Sequence, residues 1–314
     1  MAITGRPVVI WRFTDGKAGH DIQSRGLLAA LSRRIACQVF EIPPPHWSCS
    51  LAHLLRRGFP PGAGLPDPLF IIGAGHATHL AMFAARHTRG GSIIVLMQPT
   101  LPSRWFDLCL IPDHDDPPLS QANVIATRGP LNDLARAHAA DPHRGLILIG
   151  GSSRHFHWND AEILEQMAKV CVTGIRWTLM DSRRTPASLR RALGNFSADN
   201  VAYVPSTTTG PDWLRQRLQE CGTVWITPDS MAMIHEALTA GAAVGLLRLK
   251  PRGPNKINGA IERLARERSV VLYDDWLAGR SLEKACEPFA EADRCARLIM
   301  QRFGLTDATP VNPE

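Results

Sequence analysis

The chain has 314 residues, 45% apolar and 20% charged, which is enough for two domains with separate cores. Its net charge of +6 rests on thirty arginines and only five lysines with no dense basic run, which excludes a nucleic-acid signature and suits a surface that meets anionic lipid or phosphorylated substrates. No apolar run approaches the roughly 20 residues that cross a bilayer, and MAITGRPVVIWRF lacks the plan of a signal peptide, so a cytoplasmic protein, or one peripheral on the inner face of the cytoplasmic membrane, is expected.

Short β-rich apolar runs alternate with helical patterns along the chain. The first half predicts strands at 8–13 (VVIWRF), 37–42, 69–75, 92–98, 107–112 and 124–129, with helices at IQSRGLLAALSRR and ATHLAMFAARH. One stretch breaks the rhythm: PPPHWSCSLAHLLRRGFPPGAGLP (43–66) interleaves Trp47, Leu51, Leu54, Leu55 and Phe59 with Arg56 and Arg57. It reads equally as a basic-apolar membrane surface or as a short core helix between prolines. The polar segment 135–145 is the expected linker. The second half predicts strands at 145–151, 175–181, 201–206, 223–228, 243–249 and 269–275. Helices follow at NDAEILEQMAKV, PASLRRALGN, DWLRQRLQE, SMAMIHEALTA and NKINGAIERLARER, and a last one near 282–303.

Such alternation implies parallel sheets covered on both faces. The expected class is α/β, with two doubly wound Rossmann-like domains facing a cleft. Residues 1–140 would form an acceptor domain, 145–281 a nucleotide-sugar donor domain, and 282–314 a crossover helix and tail.

Ligands of open α/β sheets bind at the carboxyl ends of the strands, and four stretches there carry chemistry. In T-D-G-K-A-G-H (14–20), Gly16 and Gly19 allow close backbone approach, Lys17 adds a cation, and His20 with Asp15 makes a candidate acid–base pair. In I-G-G-S-S, Gly150, Gly151, Ser152 and Ser153 suit a diphosphate or ribose. In D-S-R-R-T-P, Arg183 and Arg184 suit phosphate oxygens. In T-P-D-S-M-A-M-I-H-E, Asp229 or Ser230 is expected to cap a helix that carries Met231 and, two turns in, a ribose-binding Glu236; His235 is expected on the surface. G-A-G-H-A-T (73–78) is a lone glycine pattern. P-D-H-D-D (112–116) reads as a solvated loop before a metal site, and H-F-H (155–157) is too isolated for zinc. The seven cysteines lack CxxC spacing and are expected to be reduced thiols.

With W-R-F-T-D-G-K-A-G-H-D-I-Q-S, Q-P-T-L-P, F-D-L-C-L-I-P-D-H-D, L-I-G-G, D-S-R-R-T-P and T-P-D-S-M-A-M-I-H-E-A in hand, the chain resembles the mitochondrial fission Elm-type family over almost its whole length. Bacterial members of that family are regarded as GT-B glycosyltransferases. Asp113 stands where the family more usually has an arginine. The resemblance implies His20 as the base of a lipid-acceptor enzyme, and Ser230, Met231 and Glu236 in the nucleotide-sugar site. It further implies no cofactor and no divalent metal, the nucleotide-sugar being a substrate, and an envelope glycolipid or polysaccharide as acceptor. Rival readings are a sugar-nucleotide epimerase, a dinucleotide oxidoreductase with Glu41 on the ribose, and a non-catalytic membrane adaptor. The last follows plant members linked to recruiting the fission machinery.

Overall fold

A computed structural model describes residues 7–137, 139–210, 212–287 and 289–307. The chain divides into two compact units, residues 1–133 together with 290–314, and residues 134–289.

In the first unit, β1 (Val8–Phe13), β2 (Cys37–Ile42), β3 (Phe70–Ala74), β4 (Ser92–Leu96), β5 (Leu108–Pro112) and β6 (Val124–Thr127) form one parallel sheet in the order β2-β1-β3-β4-β5-β6. Helices α1 (Ala18–Ser32), α2 (Trp47–Leu55) and α3 (His79–Arg89) connect the first strands. Alternation along β1 explains the layering. Val8 and Ile10 enter one core with Leu27 and Leu31 of α1, whereas Trp11 and Phe13 enter the other with Phe59 and Met82.

In the second unit, β7 (Asp141–Leu148), α4 (Asp160–Cys171), β8 (Arg176–Met180), α5 (Ala187–Gly194), β9 (Val201–Val204), α6 (Trp213–Glu220), β10 (Cys221–Ile226), α7 (Met231–Ala240), β11 (Ala243–Leu246), α8 (Lys256–Arg266), β12 (Val271–Leu272) and α9 (Tyr273–Leu277) follow one another. The parallel sheet runs β12-β11-β10-β7-β8-β9 around a single large core cluster. Each sheet therefore has one place where the strand order reverses, between β1 and β3 in the first unit and between β7 and β10 in the second. Such points open a crevice at the carboxyl ends of their strands.

Three sequence expectations change. The expected linker 135–145, of which residue 138 lies outside the described residues, gives way to strand at Asp141. Pro142 is accommodated because Pro142–Arg144 oppose Gly222 alone, in an irregularity where the proline owes no ladder hydrogen bond. The strand expected over 269–275 shortens to Val271–Leu272, since Asp274 and Asp275 open a helix whose first turn favours their charge. The last helix, α10, starts at Glu291 instead of Leu282 and packs in the first unit through Ala292, Cys295, Ala296, Ile299 and Met300.

Candidate functional site

In the first unit, β1 pairs with β3 so that Phe13 lies opposite Gly73. Asp15 and Gly75 are thus each two residues beyond an aligned pair, at the reversal point. The first turn of α1 is fixed there by Arg12, which is 3% exposed. Its Nε donates to Ser24 Oγ at 2.9 Å, and its guanidinium also holds Asp21 at 3.1 Å and the Glu41 carboxylate. Glu41, the acid of the dinucleotide reading, is therefore a partner of a buried arginine.

The pinned turn presents His20. Its Nδ1 lies 3.0 Å from both carboxylate oxygens of Asp15. A carboxylate only accepts, so Nδ1 carries the proton and Nε2 is the basic nitrogen. Burial pushes the Asp15 carboxyl up, but the Lys17 backbone N–H, His20 and the Lys17 ammonium outweigh it and hold the group below the usual 3.8. The Lys17 N–H donates to Asp15 Oδ1 at 3.2 Å, and its Nζ is 3.7 Å from Oδ2. Gly16 has φ +74°, and the space beside Gly19 is open. The N-terminus of α1 bears no side-chain cap, which leaves first-turn N–H groups for an anion.

Sequence reasoning missed Gly75 as part of this site. Its φ is +84°, and a Cβ there would stand 2.3 Å from His20 Cε1 and 3.2 Å from Asp15 Oδ2. The lone glycine pattern at 73–78 thus makes room for the imidazole. The sequence signal was its position at the end of the next strand of the same reversal.

In the second unit, Leu148 aligns with both Ile226 and Met180, so the loops after β7, β8 and β10 start level with one another. Gly150 N–H donates to Thr227 Oγ1 at 2.7 Å, and Gly151 N–H to Asp229 Oδ2 at 3.0 Å. Arg184 reaches the same Oδ2 at 2.8 Å. Close approach demands both glycines. A Cβ on Gly150 would meet the Asp229 carboxylate at 2.3 Å, and one on Gly151 the Arg184 carbonyl at 2.0 Å. Thr185 Oγ1 accepts from Ser182 N–H at 2.8 Å and closes on the Ile149 carbonyl at 3.1 Å.

Asp229 is placed differently from its expected role. Its side chain is wholly buried, turned to Gly151 and Arg184, and Ser230 occupies the N-cap position without a side-chain cap. A buried carboxylate gains more from those two donors than from capping an exposed turn. Burial raises its carboxyl, with Gly151 N–H, Thr227 and Arg184 pulling the other way. Met231, expected in the donor site, puts its side chain into the core. His235, expected on the surface, is fully buried against Phe289 with ring centroids 4.8 Å apart, because the chain after α9 covers that face of α7. Ser152 and Arg183 are exposed, and Ser153 Oγ accepts from His155 N–H at 3.3 Å. Glu236 is half-buried, about 9 Å along the helix from Ser230 at 1.5 Å per residue. The structure thus brings Gly150, Gly151, Arg184 and Asp229 into one polar cluster.

Two Rossmann-like units of six parallel strands, each with a polar loop cluster at its reversal point, define a protein of the GT-B type of fold. The chain belongs to the mitochondrial fission ELM1 family, whose model matches residues 18–303. An uncharacterized protein, RP120, of Rickettsia prowazekii (strain Madrid E) is 21% identical over 92% of this chain and 97% of its own. Among solved structures, a UDP-N-acetylglucosamine 2-epimerase so assigned in Listeria monocytogenes superposes with TM-score 0.63 at 11% identity, covering 96% of this chain and 98% of that one. The calicheamicin glycosyltransferase CalG4 gives 0.54 at 12%, covering 98% and 100%. At these identities the likeness is one of fold.

Proposed function

We propose that the protein is a glycosyltransferase that moves a sugar from a nucleotide-diphosphate donor to a hydroxyl acceptor. The observation that carries this reading is the His20–Asp15 pair at the β1/β3 reversal, with Nδ1 engaged 3.0 Å from the carboxylate and Nε2 left as the base. His20 Nε2 takes the proton of the acceptor hydroxyl as its oxygen bonds to the anomeric carbon. The bond from that carbon to the diphosphate oxygen breaks, and the nucleoside diphosphate leaves. A positioned base contributes about 10²- to 10⁴-fold.

In the second unit, the Gly150–Ser153 loop, Arg183 and the uncapped N-terminus of α7 would receive the diphosphate, with Glu236 on the ribose hydroxyls. Asp229 holds that loop and Arg184 in place. Carriage of the leaving charge by arginine and helix N–H groups assigns no role to a divalent ion, so chelation by EDTA is expected to leave the rate unchanged. The named activities of the two similar solved structures, an epimerase of a UDP-sugar and a glycosyltransferase, fit a sugar-nucleotide ligand.

The test is calorimetric and thermal-shift binding against UDP-, GDP-, dTDP-, ADP- and CMP-sugars with NAD(P) as control, followed by donor hydrolysis and transfer assays. One nucleotide class should bind, bind more weakly to Glu236→Ala, and be turned over only when His20 is present. Binding to none of them by a folded protein would refute the reading, and recovery of an epimerised donor sugar with no acceptor present would replace it by epimerisation.

A further inference from the structure

Helix α2 is built inside out. Ser50 is its buried residue, while Trp47, Leu51 and Leu55, spaced four apart along one stripe, are 63%, 39% and 75% exposed. Trp105, on the turn after β4, is 49% exposed and lies 6.4 Å from Phe83 between ring centroids. These four account for half of the eight exposed large apolar side chains among the described residues. Beside them runs a groove of about 580 Å³ lined by Leu54, Leu80, Phe83, Leu101, Trp105 and Phe106.

Charge distinguishes this face. Arg56, Arg57 and Arg104 are exposed and pair with no carboxylate among the described residues, and residues 43–66 contain no Asp or Glu. The one carboxylate in the groove, Asp107, is taken by Arg86 at 3.1 Å.

We propose that the α2 face of the first unit docks on an anionic phospholipid bilayer. Tryptophan and leucine side chains enter the boundary between headgroups and acyl chains, and the unpaired arginines meet lipid phosphates. A second copy of the same face is a poorer fit, because it would oppose arginine to arginine. No helix among the described residues is long and apolar enough to cross a membrane, so the contact is peripheral. This inference does not depend on the transferase reading.

Co-sedimentation of the full chain with phosphatidylcholine vesicles, with and without phosphatidylglycerol, tests it. Binding should require phosphatidylglycerol and weaken as salt rises. Trp47→Ser with Leu55→Ser, and separately Arg56→Glu with Arg57→Glu, should each lower the partition coefficient about tenfold or more. Far-UV circular dichroism should be unchanged in both, since all four side chains are exposed. Val172→Ser with Leu277→Ser, two exposed apolar residues of the second unit, should bind like the parent. No binding to anionic vesicles, or equal binding by all three variants, would overturn the proposal. So would vesicle indifference combined with a concentration-dependent dimer abolished by Trp47→Ser/Leu55→Ser, which would assign the face to a second copy.

Discussion

The imidazole of His20 occupies the space that a side chain on Gly75 would fill, with Cε1 2.3 Å and Nδ1 2.4 Å from the position of the missing Cβ. Gly75→Ala therefore displaces the proposed base without replacing it. Alanine at φ +84° is also strained, so unfolding should become easier by about 1–3 kcal/mol. Transfer should fall about a hundredfold as the ring leaves Asp15. Thermal denaturation and turnover, measured together, check this; full activity in a destabilised protein would separate Gly75 from the site.

Asp15→Asn is expected to lower kcat about 10²- to 10⁴-fold with KM little changed, because an amide N–H facing Nδ1 favours the tautomer that protonates Nε2. The carboxyl of Asp15 is held below 3.8, so its contribution to stability is present above that value and is lost as pH falls through the lower, folded-state pKa. Urea titrations should show the stability gap between parent and Asp15→Asn at pH 7 closing in acid.

For Asp229 the sign is reversed. Its carboxyl is raised by burial, so the folded state keeps a proton that the unfolded chain gives up near 3.8, and stability declines as pH rises from there through the folded value. Asp229→Asn should flatten that decline. Asp229→Ala should cost about 1–3 kcal/mol by leaving Gly151 N–H without its acceptor. Both should weaken donor binding about tenfold through release of Arg184, read by calorimetry.

His79 gives a third pH dependence, four residues along the chain from Gly75. It is 2% exposed at the start of α3, and burial, with the charge of His76 beside it, lowers its pKa to about 4. The unfolded chain binds a proton near 6.5, so stability is lost as pH falls from 6.5 to 4, by up to about 3 kcal/mol. Melting temperatures across that window should fall more steeply for the parent than for His79→Leu.

The order of elements was legible in the sequence because parallel strands buried on both faces leave apolar runs, as VVIWRF and LFIIGA show. Ends were harder. Nothing in the residue types of Asp141–Arg144 marks a strand, since these largely exposed residues are held by ladder pairing at Asp141 and Arg144 and by ion pairs to Arg176 and Glu220. Helix α2 stayed ambiguous in sequence because both of its readings require the same apolar residues, and only the exposure of Trp47 and Leu55 separates them. The residues at the strand ends could be picked by type. Their partnerships could not, because they depend on register: Asp229 meets Gly151 across 78 positions, and Gly75 meets His20 across 55. His235 was misplaced for a related reason, since the chain near Phe289 that buries it lies outside its own helix.

Helix α10 imposes an order on how the molecule is made. The first unit's core needs Cys295, Ala296, Ile299 and Met300, side chains whose burial contributes about 5–8 kcal/mol. During synthesis, residues 7–133 leave the ribosome with that cavity unfilled and must wait for some 150 further residues, which themselves complete a self-contained core. The unit whose strands are translated first thus completes one of its two cores only when α10 arrives, after the second unit's residues.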